Sequence, residues 1–192
     1  MSLRPAALLA MAMAALAPGA HAAPERYAID SDHTYPSLEF PHMGISVWRG
    51  KFNKTRGYVV LDRAARSGAV DITVEAASID FGHRVMNEAA LGADWLNVDM
   101  HPTLRYIGAI RFEGDAPVAV DGKLTFLGVT RPVELKIHTF KCIRHPLFRR
   151  EVCGADASGS LDRAEFGLKQ GTEGGAGRTT LRIQVEAMKQ DG

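Results

Sequence analysis

Few residues in this chain stand at spacings that could do chemistry. The two cysteines, Cys142 and Cys153, bracket the segment CIRHPLFRREVC. In an exported chain such a pair reads first as a disulfide joining the ends of a hairpin. A thioredoxin-like redox pair would need a C-x-x-C spacing, and a zinc site would need two more ligands, for which only His138 and His145 are near. His33, His42, His83 and His101 fall in separate turns and strands, with no i, i+4 or His-x-His spacing. Each reads as a capping or turn histidine, and His33-Thr34 is placed to stabilise a turn next to Asp30. Gly44-Ile45-Ser46 and Ser158-Gly159-Ser160 do not make a G-x-S-x-G elbow. The run from Gly174 to Gly177 lacks the Lys-Ser/Thr of a phosphate loop, and the stretch TEGGAG between Gly171 and Arg178 reads as a mobile loop. Asp162, Arg163 and Glu165 read as charges forming a structural ion pair near a strand turn. The sequence therefore nominates no catalytic residue and no metal ligand set. The enzyme alternative is a metal site assembled from His33, His42 and His101, or chemistry at reduced Cys142 and Cys153.

What remains is apolar, and its setting follows from the rest of the chain. Met1 to Ala22 carries Arg4, an apolar run from Ala6 to Leu16 and the small-x-small motif Ala20-His21-Ala22, the pattern of a cleaved secretory leader. The run is shorter than the ~20 residues that span a bilayer. A mature chain starting at Ala23 is thus expected to be soluble and periplasmic, as a single domain over residues 23–192, without stable membrane insertion. Removing 22 of the 192 residues also removes Arg4, which leaves basic and acidic side chains in balance. Such a surface has no electrostatic footprint for nucleic acid, and a neutral or amphiphilic partner fits it better.

The mature chain is built on a period of two. In GKLTFLGVTRPVEL, residues Leu124, Phe126, Val133 and Leu135 alternate with polar or small neighbours about a turn expected at Gly128-Val129-Thr130-Arg131-Pro132. Val70, Ile72, Val74 and Ala76 alternate in the same way. So do Leu38, Phe40 and His42; Leu104, Tyr106, Gly108, Ile110 and Phe112; and Leu181, Ile183, Val185 and Ala187. One stretch breaks the pattern: Arg84 to Leu91 is helix-compatible, Gly92 is placed to stop it, and Asp94 is placed to cap a second short turn holding Trp95 and Leu96. The count is about eight strands with a single helical insertion and no internal repeat. Alternation alone leaves a barrel and a sandwich open.

Several motifs add a resemblance. Gly122 to Val133 is similar to a "G-x-L-T-x-x-G-V-T-x-x-V" signature of the YceI family of secreted lipocalin-like proteins that bind polyisoprenoid and related amphiphilic lipids. Asp30, His33-Thr34, Phe40, His42, Gly44, Ser46, Trp48, Gly50 and Phe52 resemble its N-terminal element. Ser78-Ile79-Asp80 resembles the end of a family strand. Arg84, Leu91, Asp94, Trp95 and Leu96 resemble its helical segment, where Ala90 replaces a family histidine, so no role of that histidine is carried over. Asp162-Arg163-Ala164-Glu165-Phe166-Gly167 is similar to its "D-R-x-D/E-F-G" motif. The resemblance runs from Tyr27 to Glu186 and implies an all-β, antiparallel, eight-stranded lipocalin-like barrel.

An eight-stranded barrel is about wide enough for one ligand, and methionines and aromatic rings around its interior suit a flexible apolar chain. The resemblance then implies a periplasmic carrier holding a polyisoprenoid or quinone-like lipid, with that lipid as its partner, no other cofactor, and a homodimer as a possible assembly. Met86, Leu91 and Trp95 are the first candidates for the pocket, followed by Phe40, Met43, Trp48, Phe52, Leu124 and Phe126. The basic loop holding Arg144, His145, Arg149 and Arg150 reads as a solvated surface. A filled barrel acting only through protein contacts is the remaining alternative.

Overall fold

The computed structural model describes residues 23–191, so the expected leader at Met1 to Ala22 lies outside the described residues. Nearly every alternating run forms a strand: β1 (Glu25–Ile29), β2 (Tyr35–His42), β3 (Ser46–Phe52), β4 (Thr55–Asp62), β5 (Ser67–Glu75), β6 (Ile79–Asp80), β7 (Thr103–Glu113), β8 (Ala116–Phe126), β9 (Val129–Arg144), β10 (Glu151–Asp162) and β11 (Arg178–Lys189). Every pairing is antiparallel, and β1 pairs with both β4 and β11, so the sheet closes on itself. The eleven segments make eight staves. β1 and β2 are one stave interrupted by a helical turn at Ser31–His33, β3 and β4 are the next, and two-residue β6 extends β5 along β3. Closure is what an alternating chain of this length gains most from, since it leaves no strand edge around the ring and one enclosed face for the apolar residues.

The interruption in the first stave is held by side chains. The Asp30 carboxylate accepts the backbone N–H of Asp32 at 3.0 Å and lies 2.8 Å from Nδ1 of His33, the turn expected from the sequence. The central hairpin differs from its expected form. Phe126 pairs with Val129, so the turn is only Leu127-Gly128, both residues at positive φ (50° and 77°), as a two-residue hairpin requires. Pro132 is not in the turn. It pairs with Lys123, in the part of β9 that precedes its pairing with β10, where a missing N–H is tolerated.

The helix α1 (Arg84–Leu91) has the predicted limits. The His83 ring accepts the N–H of Met86 at its start, and Gly92 ends it by donating its N–H to the Ala89 carbonyl at 3.1 Å. Asp94 caps nothing. Instead the chain after α1 folds back on the helix: Leu96 N–H donates to Ala90 O and Val98 N–H to Leu91 O, which directs Trp95 and Leu96 inward. This segment, the β8–β9 turn and residues 163–177 share one end of the barrel, called upper here. The turns at 63–66, 114–115 and 145–150 share the lower end. Among the described residues no helix is long and apolar enough to cross a membrane.

Candidate functional site

The barrel interior holds two apolar chambers. The upper one has a cavity volume of about 190 Å³ and the lower about 130 Å³. Pro36, Ile72, Tyr106, Leu135 and Ile183 line both and form a belt between them. These residues come from β2, β5, β7, β9 and β11, and each is an inward position of an alternating run.

Tyr106 is the polar member of the belt. Gly122, on the neighbouring strand, carries no side chain, and a Cβ built there would lie 2.3 Å from the phenol's Cζ and Oη. The ring fills that space and donates its hydroxyl to the Val133 carbonyl at 2.8 Å, with Val120 O at 3.2 Å. Burial, with the Asp121 and Glu134 carboxylates adding to it, pushes the phenol's pKa up, so the hydroxyl keeps its proton.

Five of the nine residues expected around a ligand line the upper chamber: Phe40, Phe52, Trp95, Leu124 and Phe126. The other four stand elsewhere. Met43 is at the tip of the β2–β3 hairpin, 80% exposed. Trp48 stacks against His42, with ring centroids 4.5 Å apart. Leu91 packs on the small cluster of Phe52, Val74, Ile79 and Ala90, and Met86 is half-buried on α1 without facing the chamber. Of the helix residues it is Ala90 that faces the cavity.

Arg163 corrects a second expectation. It is 8% exposed yet forms no ion pair among the described residues. Its guanidinium donates to the carbonyls of Gly171, Ala176 and Gly177 at 3.1–3.4 Å and lies 4.4 Å from the centre of the Phe40 ring. Burial lowers its pKa. The expected ion pair fails because Asp162 is occupied in capping Ala164, at 2.9 Å, and Glu165 is exposed. The glycine-rich run expected to be a mobile loop is fastened by this one side chain across the upper end.

The histidines proposed for a metal are not brought together. His33 is held by Asp30, His42 by Trp48, and His101 packs at the β8–β9 turn, 3.3 Å from a Cβ built at Gly128. His138 meets Ser158 at 2.6 Å on an exposed face, and His145 organises its own loop by accepting N–H groups of Leu147 and Phe148. In that loop Arg150 pairs with Asp191, and Leu147 and Phe148 are exposed. Among the described residues the one grouping of three metal-type donors is Cys142, Glu151 and Cys153, whose sulfurs are joined in a disulfide.

Charge closes the lower end. Tyr27, 0% exposed, sets its hydroxyl between the carboxylates of Glu151, 2.6 Å away, and Glu25, 2.8 Å away, with one proton to share between them. Arg63 bridges both carboxylates and Lys189 pairs with Glu25. Hydrogen bonds from Lys189 and Tyr27 hold the Glu25 pKa below its ordinary value. For Glu151, burial works to raise the pKa but the bonds from Tyr27 and Arg63 outweigh it, so it too is lowered. A carboxyl depressed in the folded state stabilises above its unfolded pKa, and that stability is lost as pH falls through the folded value. The urea midpoint is therefore expected to fall as the pH drops below the ordinary carboxyl value of 4.5 towards the lowered folded one. Glu151→Gln should lower the midpoint at neutral pH and flatten this dependence; an unchanged slope would remove Glu151 from the account.

These features define a class: a closed antiparallel β-barrel with an apolar lumen, capped by a helix and a strapped loop above and by an ion network below. The chain belongs to the YceI-like family, whose profile, a YceI-like domain, matches residues 27–187. A UPF0312 protein of Pseudomonas putida is 30% identical over 192 residues, with 96% of each chain covered. Among solved structures, Burkholderia cenocepacia BcnA is similar at a TM-score of 0.66 and 22% identity, covering 83% of this chain and 99% of that one. A domain of Saccharophagus degradans, described as polyisoprenoid-binding and implicated in plant cell wall breakdown, has a TM-score of 0.61 at 12% identity, covering 85% and 98%. These structural likenesses establish the same barrel fold.

Proposed function

We propose that this protein is an exported lipid-binding barrel that holds the apolar part of an isoprenoid or quinone-like amphiphile in the upper chamber, working by burial and release. The observation that carries the reading is the apolar chamber in the barrel interior, lined by Phe40, Phe52, Trp95, Leu124 and Phe126. Transfer from water contributes about 0.8 kcal/mol per buried methylene, so a hydrocarbon tail is held there with few polar contacts. Membership of the YceI-like family and the polyisoprenoid-binding description of the Saccharophagus degradans domain support the choice of ligand class. The leader-like sequence from Met1 to Ala22 supports a periplasmic location, where the mature domain begins at Ala23.

Mass spectrometry of an organic extract of the purified mature protein, beside an unrelated periplasmic protein, tests the reading. A stoichiometric prenyl lipid or quinone is expected. Trp95 lines the chamber whereas Trp48 stands behind Phe40 and Phe81, so an added quinone should quench Trp48→Phe as strongly as the parent and Trp95→Phe less. Ala90→Trp places an indole in the chamber and should weaken uptake about tenfold or more while the barrel stays folded. An empty extract together with no quenching in any variant would end the proposal.

A further inference from the structure

We infer that the tip of the β9–β10 hairpin docks on the surface of an anionic phospholipid bilayer, with Leu147 and Phe148 entering the interface and Lys141, Arg144 and Arg149 meeting the phosphates. The inference does not depend on what the lumen holds.

Shape is the first argument. β9 pairs with β8 from Val129 to Lys136, and past that point its partner is β10. The hairpin so formed ends in the lower turn at 145–150, and the Cys142–Cys153 bond closes its base. At the tip Leu147 is 81% and Phe148 61% exposed, and Ile143, on the strand leading to it, is exposed as well. A stable protein interface takes about 20–30 residues a side, whereas a hairpin tip offers two or three apolar side chains. A fluid bilayer needs no wider footprint, because binding there scales with the apolar area inserted and with attraction to anionic lipid.

The exposure is built into the turn. His145 Nδ1 accepts the N–H groups of Leu147 and Phe148 at 3.2 and 3.3 Å, and its ring stacks on Phe148 with centroids 4.7 Å apart. His145 O accepts the Arg149 N–H at 2.9 Å, His145 N–H donates to Arg150 O at 2.7 Å, and Arg144 Nε donates to Arg149 O at 3.1 Å. Arg149 takes a φ of 57° to complete the turn. The two apolar side chains are thus held outward on an ordered loop, so little further ordering is needed when they dock.

Charge selects the partner. The chain as a whole is near balance, yet Lys141, Arg144 and Arg149 are exposed and form no ion pair among the described residues. Arg150 is paired with Asp191, and Glu151 is turned into the network with Arg63 and Tyr27. Guanidinium groups match phosphate oxygens in geometry, and an anionic leaflet draws basic residues to it. Apolar side chains set between unpaired basic ones replace the reading of this loop as a solvated surface. The β2–β3 tip at the upper end is a contrast: Met43 and Ile45 are exposed there, but Arg49 is paired with Glu39.

The test is sedimentation of the full mature protein with vesicles of phosphatidylglycerol and phosphatidylethanolamine in equal parts, beside vesicles of phosphatidylcholine. The anionic vesicles should bind about tenfold more tightly or better, and about 0.5 M salt should remove most of the difference. Leu147→Ser/Phe148→Ser should weaken binding to the anionic vesicles about tenfold or more while keeping the parent's urea midpoint. Lys141→Gln/Arg149→Gln should lose a similar factor, about fivefold for each charge removed. Met43→Ser/Ile45→Ser should stay within about twofold of the parent, since the arginine at that tip is already paired. No binding, equal binding to the two kinds of vesicle, or parent-like binding by either lower-tip variant overturns the inference. So does a dimer in solution that Leu147→Ser/Phe148→Ser takes apart without any vesicle binding by the parent, which would assign the tip to a second copy of the chain.

Discussion

Gly122→Ala is expected to destabilise the barrel by about 2–3 kcal/mol, far beyond an ordinary glycine-to-alanine change in a strand. The added methyl would sit 2.3 Å from the end of the Tyr106 ring, and the phenol cannot yield without losing its bond to Val133 O. The cost is thus carried by one pair, and a double-mutant cycle isolates it. In a Tyr106→Leu background, where the ring and hydroxyl are gone, the same Gly122→Ala change should cost less than about 1 kcal/mol. Urea unfolding of the four proteins gives the coupling. Equal costs in both backgrounds would mean that Tyr106 does not depend on the empty position beside it.

Loss of the disulfide should have an effect of similar size. Cys142 and Cys153 are direct cross-strand partners of β9 and β10, 11 positions apart, and the bond closes the loop that presents Leu147 and Phe148. A loop of this length restricts the unfolded chain enough to stabilise by about 2–4 kcal/mol. For a domain of this size the melting temperature of Cys142→Ser/Cys153→Ser should then drop by about 5–15 °C, and reduction of the parent should do the same. The bond has a second consequence in the folded state. Arg63 lies 3.2 Å from the Cys142 sulfur while bridging Glu25 and Glu151, so the lower ion network is built against it. The double variant should therefore also shift the acid transition. An unchanged midpoint at every pH would show that strand pairing alone fixes this end.

Alternation made the staves legible because each inward side of a strand must be apolar, and Leu124, Phe126, Val133 and Leu135 form one such side, which the closed barrel turns to the lumen. The limits of α1 were equally plain, since Gly92 cannot continue the helix cheaply. The turn after Phe126 was placed too late because Leu127 is a bulky residue at positive φ, a conformation its type does not advertise, while Gly128 and Pro132 punctuate the sequence more loudly. The lining of the candidate chamber was legible in part. The strand residues Phe40, Phe52, Leu124 and Phe126 follow from period two, but the helix wall does not, because which face of a helix meets the strands is set by how it docks, and here that face presents Ala90 rather than Met86 or Leu91 to the cavity. Ile72, Tyr106 and Ile183 stood in runs read as strands and carried the same alternation as Leu124. What the sequence lacks is the height of each residue along the barrel, which comes only from register. Arg163 was misread for a related reason: its partners are main-chain carbonyls, which leave no mark in a sequence.

The seam between β1 and β11 joins the start of the domain to its end, with Arg26 and Gln190 bonded across 164 positions. A chain emerging from a ribosome or a translocation channel cannot form that pairing until its last strand is free. Until then the lumen is an open apolar trough with an unpaired strand at its rim. The final dozen residues thus set the moment at which a nascent chain stops being a client for chaperones, and a truncation there would expose the whole interior rather than trim one strand.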